Sequence, residues 1–164
     1  MKFVVIGANA AGMSAASRVK RRMPDCEVTV LEQTFEVSYG ACGLPFYVAG
    51  LNNDLDLVRI RSVADFEKAG IEMRLGHTVE RIDFAKKTVL GRDLSGNAFY
   101  AGYDRLLIAS GASPRKLQVP GETLGNIFTL KTPQDAERLR AAVRRTRGSV
   151  VIVGGGAIGL ELAE

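Results

Sequence analysis

Phe3-Val4-Val5-Ile6-Gly7-Ala8-Asn9-Ala10-Ala11-Gly12 opens the chain, and its reading decides the fold. Phe3 to Ile6 is a continuous apolar run, the pattern of a strand buried on both faces of a parallel sheet. Gly7 to Gly12 reads as a glycine turn. Helix-forming residues follow from about Met13 to Met23, with Arg21 and Arg22 suiting the negative end of the helix dipole and Pro24 stopping the helix. Val28 to Leu31 is a second buried strand, ending at Glu32. Together these form a βαβ unit.

Working outward, Ser38 to Gly50 has an unusual composition, with three glycines and a proline in Ser38-Tyr39-Gly40-Ala41-Cys42-Gly43-Leu44-Pro45-Phe46-Tyr47-Val48-Ala49-Gly50. Ser62 to Ala69 reads as a short helix capped by Gly70. Strand-like runs follow around Ile71–Leu75, Val79–Phe84 and Thr88–Leu90. Ser95-Gly96-Asn97 reads as a hairpin turn before Phe99. Leu106 to Ala109 is another buried strand, broken by Ser110-Gly111. Thr132-Pro133-Gln134-Asp135 starts a helix: Thr as N-cap, Pro first, Asp third. Ala136, Leu139 and Val143 line its apolar face, and Arg138, Arg140, Arg144, Arg145 and Arg147 read as solvated. Val150 to Val153 is read as a fresh buried strand running into Gly154-Gly155-Gly156-Ala157-Ile158-Gly159. The sequence stops soon after, so a fragment of a longer protein is expected, since a βαβ unit needs about thirty residues.

Bulk properties bound the function. The 164 residues carry a net charge of +4 and are 46% hydrophobic, enough for a packed core. The pI near 9.3 permits phosphate-bearing partners but is too mild to mark a nucleic-acid binder. No apolar run approaches the ~20 residues of a membrane span, and no signal-peptide pattern follows the short opening stretch. A cytoplasmic protein without nucleic-acid or membrane partners is expected. Two cysteines and one histidine argue against a disulfide scaffold and against a metal site.

Two glycine motifs carry the first chemical signal. A glycine turn between a buried strand and a helix lets backbone N–H groups approach a pyrophosphate at the helix N-terminus. An acidic residue about twenty positions on then bonds a ribose hydroxyl, and Glu32 stands there. Asn9 replaces the middle glycine of the first motif. The competing reading is a tight turn with no ligand. The second motif, Gly154, Gly156 and Gly159, is a full match. Two motifs in one chain suggest two dinucleotides, whose usual joint chemistry is hydride transfer from nicotinamide to flavin.

Cys42 is the second signal. A helix opening at Leu44 would expose its sulfur and favour the reactive thiolate. A buried cysteine acting as a small hydrophobe is the other reading, and residue type leaves both open. Cys26 reads as structural. The Cys26–Cys42 spacing is not that of a redox pair, so a reactive Cys42 needs a small-molecule thiol or oxidant as its partner. His77 is read as structural.

Over its whole length the chain resembles the N-terminal part of single-cysteine, flavin-dependent pyridine nucleotide–disulfide oxidoreductases, the group of coenzyme A-disulfide, polysulfide and persulfide reductases and NADH oxidases and peroxidases. The resemblance rests on Val4 to Ala16, on Ser38 to Tyr47, on Tyr103 to Pro114 and on Val150 to Glu164. It implies an α/β fold: a three-layer Rossmann-like FAD-binding domain with a parallel sheet and an added antiparallel β-meander, over 1–115. A linker and the truncated start of a second, NAD(P)H-binding Rossmann-like domain would occupy 116–164. FAD would meet Gly7, Asn9, Ala10, Ala11 and Gly12 at its pyrophosphate, Glu32 and Gln33 at its ribose and Val79 at its adenine. Ala109, Ser110 and Gly111 would lie near the flavin nucleotide. NAD(P)H would meet Gly154, Gly156 and Gly159. Cys42 would be the redox residue, beside the isoalloxazine. Ser14, Arg18, Arg21 and Ser38 would approach coenzyme A.

Oxidases and peroxidases of the group commonly carry a histidine just after the first turn, where this chain has Ala10 and Ala11. That favours a disulfide, persulfide or polysulfide substrate over oxygen or peroxide. The rivals are an NADH oxidase, a non-catalytic nucleotide-binding module and a flavin reductase serving a protein partner such as a ferredoxin. The full-length parent is expected to be a homodimer.

Overall fold

A computed structural model describes all residues, Met1–Glu164. Two compact units divide the chain: Met1–Tyr39 with Ile60–Gly111, and Gly40–Arg59 with Ala112–Glu164.

The first unit holds seven strands. β1 (Lys2–Ile6) is followed by α1 (Ala10–Arg22) and β2 (Glu27–Glu32), then by α2 (Val63–Lys68), β3 (Ile71–Leu75), β4 (His77–Asp83), β5 (Thr88–Asp93), β6 (Ala98–Gly102) and β7 (Arg105–Ile108). Four strands form a parallel sheet in the order β3-β2-β1-β7, and β4-β5-β6 form an antiparallel meander. The pleat of β1 explains the layering. Val5 turns to one face with Val28, Val30, Met13, Ala16 and Phe66. Val4 turns to the other with Leu31 and the meander's Val89, packed by Ile82 and Phe99. Helices thus cover one face of the parallel sheet and the meander the other, which is the three-layer α/β arrangement expected. β5 runs to Asp93, and Asp93 and Gly96 close the hairpin to β6. α2 carries a capping box between Ser62 and Asp65 that the sequence pattern only hints at.

In the second unit, a 3-10 turn at Ala41–Gly43 runs into α3 (Leu44–Ala49). Another 3-10 turn spans Leu55–Val58, and α4 (Pro133–Arg145) and α5 (Ala157–Ala163) follow. α4 starts as read, with Thr132 and Asp135 forming a reciprocal capping box and Pro133 in its first turn. α3 packs against α4 and α5.

Four expectations are corrected. Val150 to Val153 is no buried strand: it pairs with nothing and Val151 is 83% exposed. An apolar run becomes a strand only through a neighbour's ladder, and none of these 164 residues supplies one. Arg140 is not solvated but 4% exposed, while Val143, placed on the apolar face by its period, is 39% exposed. The first turn is also shorter than read, because α1 begins at Ala10. No helix is long and apolar enough to cross a membrane.

Candidate functional site

The C-terminal edge of the parallel sheet gathers the first glycine turn, the end of β2 and the end of β7. Gly7 has φ +103, a region that favours glycine, and a side chain on it would strike the Ala109 carbonyl. A Cβ on Gly12 would lie 1.9 Å from the Gly7 carbonyl oxygen. The bare backbone of Gly12 therefore lets α1 seat directly against the turn that feeds it. The Gly7 N–H donates to the Leu31 carbonyl and the Ala109 N–H to the Ile6 carbonyl, so both neighbouring strands fix the turn.

The first turn of α1 is left open to an anion. Its leading N–H groups have no intrahelical acceptor, Asn9 caps none of them with its side chain, and no acidic residue occupies the turn. That donor set fits the FAD pyrophosphate.

Asn9 resolves the departure from the glycine pattern. Its φ of −99° lies in ordinary extended space, so glycine is not required there. Its Oδ1 instead accepts the Tyr39 N–H at 3.1 Å. Ser38, the residue before Tyr39, sits at φ +47 and donates its N–H to the Ala8 carbonyl. Ser38 and Tyr39 are thereby laced to the glycine turn through Ala8 and Asn9.

Glu32 is placed as its spacing predicts, at the end of β2. One carboxylate oxygen accepts the buried Ala8 N–H at 2.9 Å, and the other accepts from the Thr34 amide and hydroxyl at 2.8 Å. Spacing to Gly12 could find Glu32 but not these bonds, which organise the turn itself. Gln33 beside it is exposed. Val79 pairs with Gly91 beside a β-bulge and packs its side chain against the core. Ser110 and Gly111 lie just past β7, and Gly111 has open space around it. Ser14, Arg18 and Arg21 share one exposed face of α1 at helical spacing.

In the second unit, Cys42 is exposed in the 3-10 turn ahead of α3, while Cys26 of the first unit is buried with its thiol directed to the Met1 carbonyl. Gly154 and Gly159 repeat the first turn's geometry: φ is +112 at Gly154, and a Cβ on Gly159 would lie 2.3 Å from the Gly154 oxygen. His77 is occupied structurally, through the Leu75 carbonyl and an edge contact with Phe99.

Fold and turn define a Rossmann-type dinucleotide-binding protein with an added meander. The chain belongs to the pyridine nucleotide-disulphide oxidoreductase family, whose profile matches residues 1–164. It is 41% identical over 162 residues to a CoA-dependent NAD(P)H sulfur oxidoreductase of Pyrococcus abyssi, covering 98% of this chain and 36% of that protein. Among solved structures, the NAD-dependent persulfide reductase of A. fulgidus superposes with a TM-score of 0.95 at 38% identity, over 100% of this chain and 31% of that one. The NADH-bound, water-forming NADH oxidase of Lactobacillus brevis superposes with a TM-score of 0.95 at 31% identity, over 100% and 36%. The chain thus spans only about a third of the length of these relatives.

Proposed function

We propose that the protein to which this chain contributes is an FAD-dependent NAD(P)H oxidoreductase that reduces a low-molecular-weight disulfide, persulfide or polysulfide, in the manner of a coenzyme A-disulfide reductase. The observation that carries this reading is the pair of thiols: Cys42 exposed in a glycine-framed turn, Cys26 buried and bonded to the backbone. Cys26, bonded to the backbone in the core, offers Cys42 no partner, which supports exchange with a small-molecule thiol or disulfide.

Gly7, Asn9, Ala10, Ala11 and Gly12 would hold the FAD pyrophosphate, Glu32 and Gln33 the ribose, and the Val79 backbone the adenine. Ala109, Ser110 and Gly111 would flank the flavin nucleotide. When bound, FAD supplies a two-electron relay from NAD(P)H. Gly154, Gly156 and Gly159 would receive the NAD(P)H pyrophosphate. Residues 1–115 would then be the first part of the FAD domain, and 116–164 the linker and start of the NAD(P)H domain.

Cys42 does the sulfur chemistry. Its thiolate attacks one sulfur of the substrate, the S–S bond breaks, and one thiolate leaves. Two electrons then cleave the mixed disulfide, which restores the Cys42 thiolate and releases the second thiol. Ser14, Arg18, Arg21 and Ser38 would contact coenzyme A, the two arginines meeting its phosphates. The likeness to the L. brevis enzyme favours a second reading, an NADH oxidase. Ala10 and Ala11, which open α1, place no imidazole there to protonate peroxide.

Reduced full-length protein is expected to show a thiolate–flavin charge-transfer band and faster coenzyme A-disulfide turnover than oxygen consumption. A Cys42→Ser variant that kept both band and turnover would overturn the assignment. Oxygen consumption outrunning disulfide turnover would establish the oxidase instead. A cytoplasmic homodimer is the setting we infer for the parent enzyme.

A further inference from the structure

Arg140 stands on the apolar stripe of α4, four residues past the fully buried Ala136, and is itself 4% exposed. Its guanidinium lies 4.3 Å from the centroid of the Tyr47 ring. One terminal nitrogen donates to the Asn52 carbonyl at 3.1 Å and the other to the Asn53 side-chain oxygen. Its Nε is buried without a partner, and no carboxylate pairs with the charge. A buried, unneutralised cation is costly, and an apolar residue would suit the stripe. All that the arginine adds over such a residue is directed at one segment, Tyr47 to Asn53.

That segment is the end of α3 and the turn beyond it. α3 has six residues, too few to be stable alone. The 3-10 turn carrying Cys42 runs into it without a break: Gly43 is its N-cap, and the Leu44 N–H returns to the Ala41 carbonyl. On the other side the Gly40 N–H is bonded to the Val58 carbonyl at 2.7 Å, and a Cβ on Gly43 would come within 2.8 Å of Val58. The Cys42 turn is therefore gripped between Val58 and α3 and follows any movement of α3.

We infer that Arg140 is a positioning residue for Cys42, setting the orientation of the thiol by clamping the far end of α3. The role in catalysis rests on the reading of Cys42 as the redox thiol. The test uses the full chain. Iodoacetamide alkylation of Cys42 is followed by mass spectrometry across the thiol titration range, with buried Cys26 as internal reference, and amide exchange is read in α3. Arg140→Met is expected to speed α3 exchange about tenfold and to change the Cys42 alkylation profile about threefold. Arg140→Lys should lie between, since lysine keeps a donor but loses the stacked fork.

Leu139→Ala weakens the same helix without touching the clamp and marks what mere destabilisation does. An Arg140→Met profile indistinguishable from that of Leu139→Ala overturns the inference. Should Arg140→Met fail to fold by circular dichroism, Arg140→Lys and Tyr47→Leu are compared with Leu139→Ala in its place, and profiles matching that control overturn the inference equally. Disulfide turnover of Cys42→Ser in the full-length enzyme separately decides whether Cys42 is the redox residue, so a failed clamp and a failed thiol assignment give different results.

Discussion

Gly12→Ala is the perturbation that most directly tests how the dinucleotide turn is built. The new methyl carbon would lie 1.9 Å from the Gly7 oxygen and 3.1 Å from a Val5 methyl. Ordinary contact is about 3.5 Å, so α1 must retreat by roughly 1.5 Å, and the obstacle is backbone that cannot rotate away. Alanine gains about 1 kcal/mol in helix propensity. Overpacking costs typically 1–3 kcal/mol, and more where no side chain can yield, so the net loss should be about 2–3 kcal/mol. With a urea slope of about 1–3 kcal/mol/M, the unfolding midpoint should fall by roughly 1–2 M. The retreat also withdraws the α1 amides, so FAD retained after desalting by the full-length protein should drop sharply. Gly159→Ala serves as the internal control. It meets a similar clash at 2.3 Å, but beside the exposed, unpaired run 150–153, so the midpoint should scarcely move. A Gly12→Ala protein with unchanged midpoint and, in its full-length form, unchanged flavin content would refute the reasoning.

Three further perturbations address neighbouring parts of the molecule. Glu32→Ala removes the acceptor of the buried Ala8 N–H and should lower stability by about 1–3 kcal/mol, with FAD retention falling in the full-length protein. Asn9→Gly should preserve the turn, which needs no left-handed residue there, yet speed exchange of the Tyr39 amide by about tenfold; unchanged exchange would show that the Asn9 bond is idle. Burial pushes the Asp135 carboxyl up, but hydrogen bonds from Thr132 and Arg138 outweigh it and hold the group below its usual 3.8. Its contribution to the α4 cap is therefore complete above that value and lost as pH falls through the lower folded value; Asp135→Asn should abolish this acid dependence of α4 exchange.

Local rules made most of the first unit legible. The apolar runs of β1 and β2 act within a few residues and lie where the pattern puts them, as do the capping residues of α4 in the second unit. β7 lies one position earlier than its apolar run suggests, at Arg105–Ile108, because its ladder to Phe3–Ile6 sets the bounds. Two of the errors share a cause, since they depend on partners far along the chain. Val150 to Val153 has the composition of a strand but nothing to pair with. Arg140 reads as solvated because four other arginines surround it in sequence, although its spacing from Ala136 puts it on the apolar stripe. Its partners, Tyr47 and Asn52, lie far away in the chain, where helical periodicity cannot see them.

The two glycine turns separate what is local from what is not. Gly7 and Gly154 share a left-handed φ, and Gly12 and Gly159 share the same close approach to the preceding carbonyl. The second turn holds this shape although the residues before it form no ladder, so a paired strand before the turn is not what sets its backbone. The middle positions differ in residue but not in backbone: Asn9 and Gly156 are both extended. Glycine there serves the approach of a ligand rather than the conformation of the chain. Asn9 can stand in that place because its amide carbonyl is engaged by the Tyr39 N–H. The substitution that weakens the sequence motif thus adds a bond from the turn to Tyr39, a contact that a glycine at position 9 has no atoms to make.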